Sequence, residues 1–66
     1  MKIETEFIKL QSFLKFAGAV ETGGEAKEVI LEGLVFVNNE KELRRGRKLY
    51  CGDVVKFENG EWVVEN

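Results

Sequence analysis

The sequence predicts an α+β fold in which two short helices pack on a small antiparallel sheet that ends in a C-terminal hairpin. Two observations carry this prediction. Apolar residues recur at helical spacing in the first half of the chain, and β-branched and aromatic runs alternate with turn residues in the second half. Helices followed by strands are typical of the α+β class. With 66 residues, the chain is expected to form a single domain over residues 1–66.

The helices are predicted from apolar spacing and from a capping pattern. Apolar residues at i, i+3, i+4 and i+7 predict a first helix over residues 10–17, on which Phe16 lies off the apolar face and is expected to be partly exposed. Thr22 is followed three residues later by Glu25, which matches a capping box. A second helix is therefore predicted over residues 23–32. A phosphate site at its start is an alternative interpretation to a plain cap.

The strands are predicted from short apolar runs between turn residues. They cover residues 5–8, 34–37, 40–43, 54–57 and 61–64. Asn59-Gly60 favours a type I′ hairpin turn, and Asn38-Asn39 marks a second turn. On the same pattern Phe36, Phe57 and Trp62 are interpreted as core residues.

The composition excludes several kinds of chemistry. The chain has no His and a single Cys, so a Ser-His-Asp or Cys-His site and a Cys or His zinc site are excluded. Cys51 is interpreted as a small packed side chain. We expect no metal or other cofactor and no enzymatic activity. Short apolar runs and the acidic start of the chain favour a cytoplasmic protein that has no membrane partner.

The basic residues are concentrated in one segment. The chain holds 10 basic and 12 acidic residues, yet residues 41–48 contain five cations and one acid. All three arginines lie within residues 44–47. Arginine recognises phosphate through planar, bidentate hydrogen bonds, so this segment predicts contact with a nucleic-acid backbone. A solvated loop that is basic by chance and a loop that docks an acidic protein are the alternatives.

Four short motifs resemble the alpha-L RNA-binding motif, also called the S4 domain. They are Phe13-Leu14-Lys15, Thr22 with Glu25-Ala26-Lys27, Glu32-Gly33-Leu34-Val35-Phe36-Val37-Asn38, and Gly52-Asp53-Val54-Val55. The resemblance covers about residues 8–57. Together with the Arg-Arg-Gly-Arg-Lys-Leu run and the short length, it is most similar to stand-alone bacterial proteins of the YaaA/YbcJ type.

The resemblance implies a compact module that binds structured RNA, such as ribosomal RNA, transfer RNA or ribosomal particles, and acts as a monomer in ribosome assembly. The residues that it places on one basic face are Lys15, Thr22, Lys27, Arg44, Arg45, Arg47 and Lys48. The chain departs from the commoner family pattern at two places. Lys9-Leu10-Gln11 stands where that pattern has Arg-Leu-Asp, and Gly23 stands where it has Arg.

Two further function classes compete with RNA binding. Small sulfur-carrier proteins have a similar length and a similar Gly-Asp-Val segment, but they act through a C-terminal Gly-Gly, whereas this chain ends Val63-Val64-Glu65-Asn66. A protein-interaction module that docks an acidic partner through the arginine loop remains open, because cations alone do not distinguish a phosphate from a carboxylate.

Overall fold

The computed structural model describes residues 2–66 and confirms the α+β class. In chain order the elements are β1 (Phe7–Lys9), α1 (Leu10–Phe16), α2 (Gly23–Leu31), β2 (Val35–Val37), β3 (Glu40–Lys41), β4 (Lys48–Tyr50), β5 (Val54–Phe57) and β6 (Gly60–Val63). Neither helix in this described part of the chain has the length and apolar character that crossing a bilayer requires.

Both predicted helices form, and each is one residue shorter than predicted. Helix α1 buries Leu10, Phe13 and Leu14 and ends at Phe16, with Gly18 at φ 79° just beyond it. Glycine adopts this left-handed conformation without a steric penalty, so the chain can turn back toward α2 at this point. The Phe16 side chain is 53% exposed, which confirms its position off the apolar face.

The strands form two sheets, although a single small sheet was expected. Strand β1 pairs antiparallel with β4, and the other four strands form a sheet in the order β3-β2-β5-β6. The return strand after Asn39 is only two residues long, although the N–H of Glu42 still donates to the carbonyl oxygen of Val35 at 3.0 Å and the Glu42 side chain is buried. Strand β4 then pairs with β1, which lies next to α1 in sequence. This pairing brings the basic segment to the start of α1.

One of the two predicted hairpin turns forms where expected, and the other is shifted by one residue. Asn38 and Asn39 both have positive φ, at 52° and 69°, as a type I′ turn requires. In the C-terminal hairpin, by contrast, Phe57 pairs with Gly60, so the turn lies one residue earlier than predicted. A Cβ atom at Gly60 would collide with the Trp62 ring. The glycine therefore serves close packing of the indole rather than the turn.

The core is formed by inward-facing residues of α1, α2 and both sheets. Phe57 is buried and Trp62 packs against the core, as predicted. The core assignment was wrong for Phe36, which is 37% exposed because Val35 and Val37 take the inward positions of β2. It was also wrong for Cys51, which is exposed in the turn after β4.

Candidate nucleic-acid interface

A buried carboxylate organises the arginine loop, defined here as residues 44–47. Glu42 is only 6% exposed. Its Oε2 accepts hydrogen bonds from the backbone N–H and the Nε of Arg44, both at 3.0 Å. Its Oε1 accepts from Arg44 Nη2 at 3.1 Å and from Arg47 Nη1 at 2.8 Å. The only acid in the basic window therefore fixes two of the three guanidinium groups.

These contacts keep Glu42 ionised. The side-chain hydrogen bond from Arg44 is the largest cause, and it outweighs the effect of burial, which alone would raise the pKa. Hydrogen bonds from Arg47 and from the Arg44 backbone add to it, and the pKa of Glu42 falls from 4.5 to about 2. At neutral pH, Glu42 offsets one of the two positive charges of Arg44 and Arg47. Arg45 remains exposed, and no acidic group in residues 2–66 forms an ion pair with it.

The arginine loop lies across the first turn of α1. The backbone N–H of Leu10 donates to the carbonyl oxygen of Arg47 at 2.8 Å, and the N–H of Gln11 donates to that of Arg45 at 3.0 Å. The first N–H groups of a helix lack partners within the helix itself. Lys9 at the N-cap provides no side-chain cap, so the loop carbonyls satisfy these groups instead. This fixes the position of the loop relative to α1.

Gln11 also links α1 to the start of α2. Its side-chain Nε2 donates to the carbonyl oxygen of Gly23 at 3.2 Å. A Cβ atom at Gly23 would lie 3.3 Å from the same nitrogen, so the lack of a side chain lets the amide approach the backbone. Gln11 and Gly23 lie at the two places where the chain departs from the commoner family pattern. The structure thus shows that these two departures contact each other.

The two predicted lysines extend from this junction. Lys15 is four residues after Gln11 on α1, and Lys27 is four residues after Gly23 on α2. Residues at i and i+4 lie on the same side of a helix, one turn apart. Both lysines are exposed, one turn beyond the junction on their own helices. Within the described chain, neither has an ion-pair partner.

Thr22 is a helix cap in this structure. Its Oγ1 accepts a hydrogen bond from the backbone N–H of Glu25 at 3.1 Å, as the capping-box pattern predicts. The Glu25 carboxylate does not reach back to Thr22. It accepts instead from the N–H of Glu21 at 2.9 Å. A carboxylate already occupies this helix start, and a contact of Thr22 with RNA stays a prediction.

Lys48 lies beside a cation that the sequence analysis did not select. In the antiparallel pairing of β1 with β4, Lys48 is directly opposite Lys9, and both side chains are exposed. Sequence reasoning also missed Glu42 and Gln11. The signal for Glu42 was present, because one acid inside a dense basic run is a natural ion-pair partner. No comparable signal marked Gln11, whose role depends on contacts between distant segments.

The comparisons with known proteins agree with the earlier resemblance. The family model of the S4 domain matches residues 1–65. A protein of Bacillus subtilis (strain 168) described as "Probable ribosome maturation protein RlbA" is 49% identical over 67 residues, which cover 100% of this chain and 94% of the relative. Two short helices beside antiparallel strands are consistent with that family's fold. This chain therefore belongs to the S4 domain family.

Proposed function

We propose that this protein is a non-catalytic binder of structured RNA, which holds ribosomal RNA or a ribosome assembly intermediate on a basic face. The basic face comprises Lys15, Thr22, Lys27, Arg44, Arg45, Arg47 and Lys48. One observation carries the proposal: the arginine loop is hydrogen-bonded to the start of α1, and Gln11 connects that point to the start of α2. Membership of the S4 domain family and the relative described as a ribosome maturation protein support it.

The mechanism is positional rather than chemical. The cations contact phosphates of a folded RNA. Because the arginine loop has a fixed conformation, its cations select phosphates at a matching spacing. Recognition then depends mainly on the shape of the RNA, because A-form helices hide their base edges in a deep and narrow major groove. In this account the protein acts as a monomer in the cytoplasm. Transfer RNA is an alternative target with the same chemistry.

The way the guanidinium groups are held suits binding of an anion. Arg44 uses both Nε and Nη2 for Glu42, while its side chain stays 75% exposed. A guanidinium that is preoriented in this way loses less conformational freedom when its remaining N–H groups meet a phosphate. The S4 domain match and the described relative favour RNA over an acidic protein as the source of that anion.

Binding across a salt series tests the proposal. The purified protein is titrated with a structured ribosomal RNA fragment, with and without polyglutamate as an acidic polypeptide competitor. About six phosphate contacts predict a slope of log K against log salt of roughly −4 to −5. Polyglutamate at equal charge concentration should not displace the RNA.

Two single variants locate the contact. Arg45→Gln removes a cation of the basic face and should lower the slope by about one unit. Lys56→Gln removes a cation that lies 3.7 Å from Glu61 in the four-stranded sheet, and it should leave the slope unchanged. No RNA binding at low salt would refute the proposal. Displacement by polyglutamate would instead favour an acidic protein partner.

A further inference from the structure

The ribbon formed by β1 and β4 has one buried face and one exposed face. Ile8 and Leu49 pair across the ribbon and turn toward the core, where Leu49 is fully buried. Alternation along each strand puts the neighbouring residues on the opposite face. That outer face carries Phe7, Lys9, Lys48 and Tyr50. We call this group the ribbon platform.

Two aromatic rings form one end of the ribbon platform. Phe7 is directly opposite Tyr50, their ring centroids are 6.0 Å apart, and the ring planes are tilted by 45°. Tyr50 is 45% exposed, and Phe7 is partly exposed. The exposed Tyr50 ring, supported by Phe7, is an aromatic surface of the kind on which nucleobases stack.

Two like charges form the other end. Lys9 and Lys48 are directly opposite each other, an arrangement that destabilises a sheet when nothing lies between the charges. Lys48 Nζ lies over the Phe7 ring, 4.8 Å from its centroid, so Tyr50 is the ring left open to a base. No carboxylate in the described residues forms an ion pair with either lysine. A phosphate placed between the two ammonium groups would remove the repulsion.

The ribbon platform is continuous with the basic face. Lys48 directly follows Arg47, and Lys9 directly precedes Leu10, whose N–H donates to the Arg47 carbonyl oxygen at 2.8 Å. An RNA strand that reaches the arginine loop therefore has the ribbon platform beside it. The ribbon platform is thus one residue from the arginine loop along β4, and one residue from the start of α1 along β1.

We propose that the ribbon platform binds one unpaired nucleotide of the RNA, with its base stacked on Tyr50 and its phosphate between Lys9 and Lys48. This inference rests on the proposed function and deepens it. The protein would recognise folded RNA at a junction where a base-paired region meets an unpaired nucleotide. A perfectly paired duplex would contact the basic face alone, because its bases are stacked on each other.

The experiment compares two RNAs with equal numbers of phosphates. One is a hairpin that carries a fluorescent adenine analogue at an unpaired position beside the stem, and the other is a blunt duplex. Tyr50→Leu keeps an apolar side chain but removes the ring, whereas Tyr50→Phe keeps the ring. Phe36→Leu is the matched control, since Phe36 is also exposed and lies opposite Lys41 and Lys56 in the other sheet. Thermal unfolding verifies that each variant is folded.

Wild type and Tyr50→Phe should bind the hairpin equally and quench the analogue. Tyr50→Leu should bind the hairpin at least about fivefold more weakly, quench less, and keep the affinity for the duplex and the salt slope. Phe36→Leu should behave as wild type does. Hairpin binding and quenching by Tyr50→Leu that match wild type, or an equal loss for hairpin and duplex, would overturn the platform alone. A wild type that binds neither RNA would overturn the proposed function itself.

Discussion

Replacing Lys15, Lys27 and Arg45 together by glutamine is expected to weaken binding to structured RNA by about 100-fold at low salt and to lower the salt slope by about three units. These three side chains are exposed and form no ion pair within residues 2–66, so removing them leaves no buried charge without a partner. The effect should be measured by titration of a ribosomal RNA fragment across a salt series. Circular dichroism would verify that the fold is retained.

A control with the same net charge separates position from overall charge. Lys2, Lys41 and Lys56 carry the same total charge as the residues of the first triple variant, but none of them belongs to the basic face. Lys41 packs against Gly33 beyond the end of α2, and Lys2 lines a groove with Phe16, about 100° around α1 from Lys15. Their joint replacement by glutamine should reduce affinity only a few-fold. Equal losses for the two triple variants would show that net charge alone attracts the RNA.

Glu42→Gln is expected to lower the free energy of unfolding by about 2 kcal/mol at neutral pH, which corresponds to roughly 10 °C in the melting temperature of so small a domain. The substitution keeps the shape of the side chain but removes the charge that holds Arg44 and Arg47. Denaturant unfolding followed by Trp62 fluorescence would measure the loss. Glu61→Gln, at an exposed pair 3.7 Å from Lys56, is the matched control and should change stability by under about 1 kcal/mol.

The pH dependence of the stability lost in Glu42→Gln shows whether the Glu42 charge is the cause. The folded protein lowers the pKa of Glu42 from 4.5 to about 2, so the carboxylate stabilises the fold above pH 4.5. That contribution is lost as the pH falls from 4.5 toward about 2. The stability difference between wild type and Glu42→Gln should therefore be full at neutral pH and should narrow in acid. A difference that stays constant down to acid pH would contradict an ionic role for Glu42.

The sequence predicts the helices well because their signals are local. The apolar stripe of α1 and the Thr22 cap of α2 depend on residues within a few positions of each other. The C-terminal turn lies one residue earlier than the Asn-Gly pair indicates, because the strand register pairs Phe57 with Gly60 and places Gly60 against the Trp62 ring. The pairing of β1 with β4 is not local, since it joins segments that are far apart in the chain.

The sequence predicts which basic residues make up the candidate site, but not the contacts that hold them in place. Counting charges locates the arginine loop, yet it treats Glu42 as one unit of opposite charge rather than as the buried acceptor that orders the loop. Counting also cannot show that the loop carbonyls complete the first turn of α1. Gln11, which connects that turn to Gly23, is recognised only when the two helices are seen together.

The most direct test of the account is to map the RNA contact on the protein by NMR. Backbone amide shifts are followed while a structured ribosomal RNA fragment is added at low salt. The account predicts that the largest changes lie at the start of α1, along α2 near Lys27, and in the arginine loop with Lys48, while β5 and β6 stay unchanged. Changes concentrated on β5 and β6, or no changes at all, would contradict it.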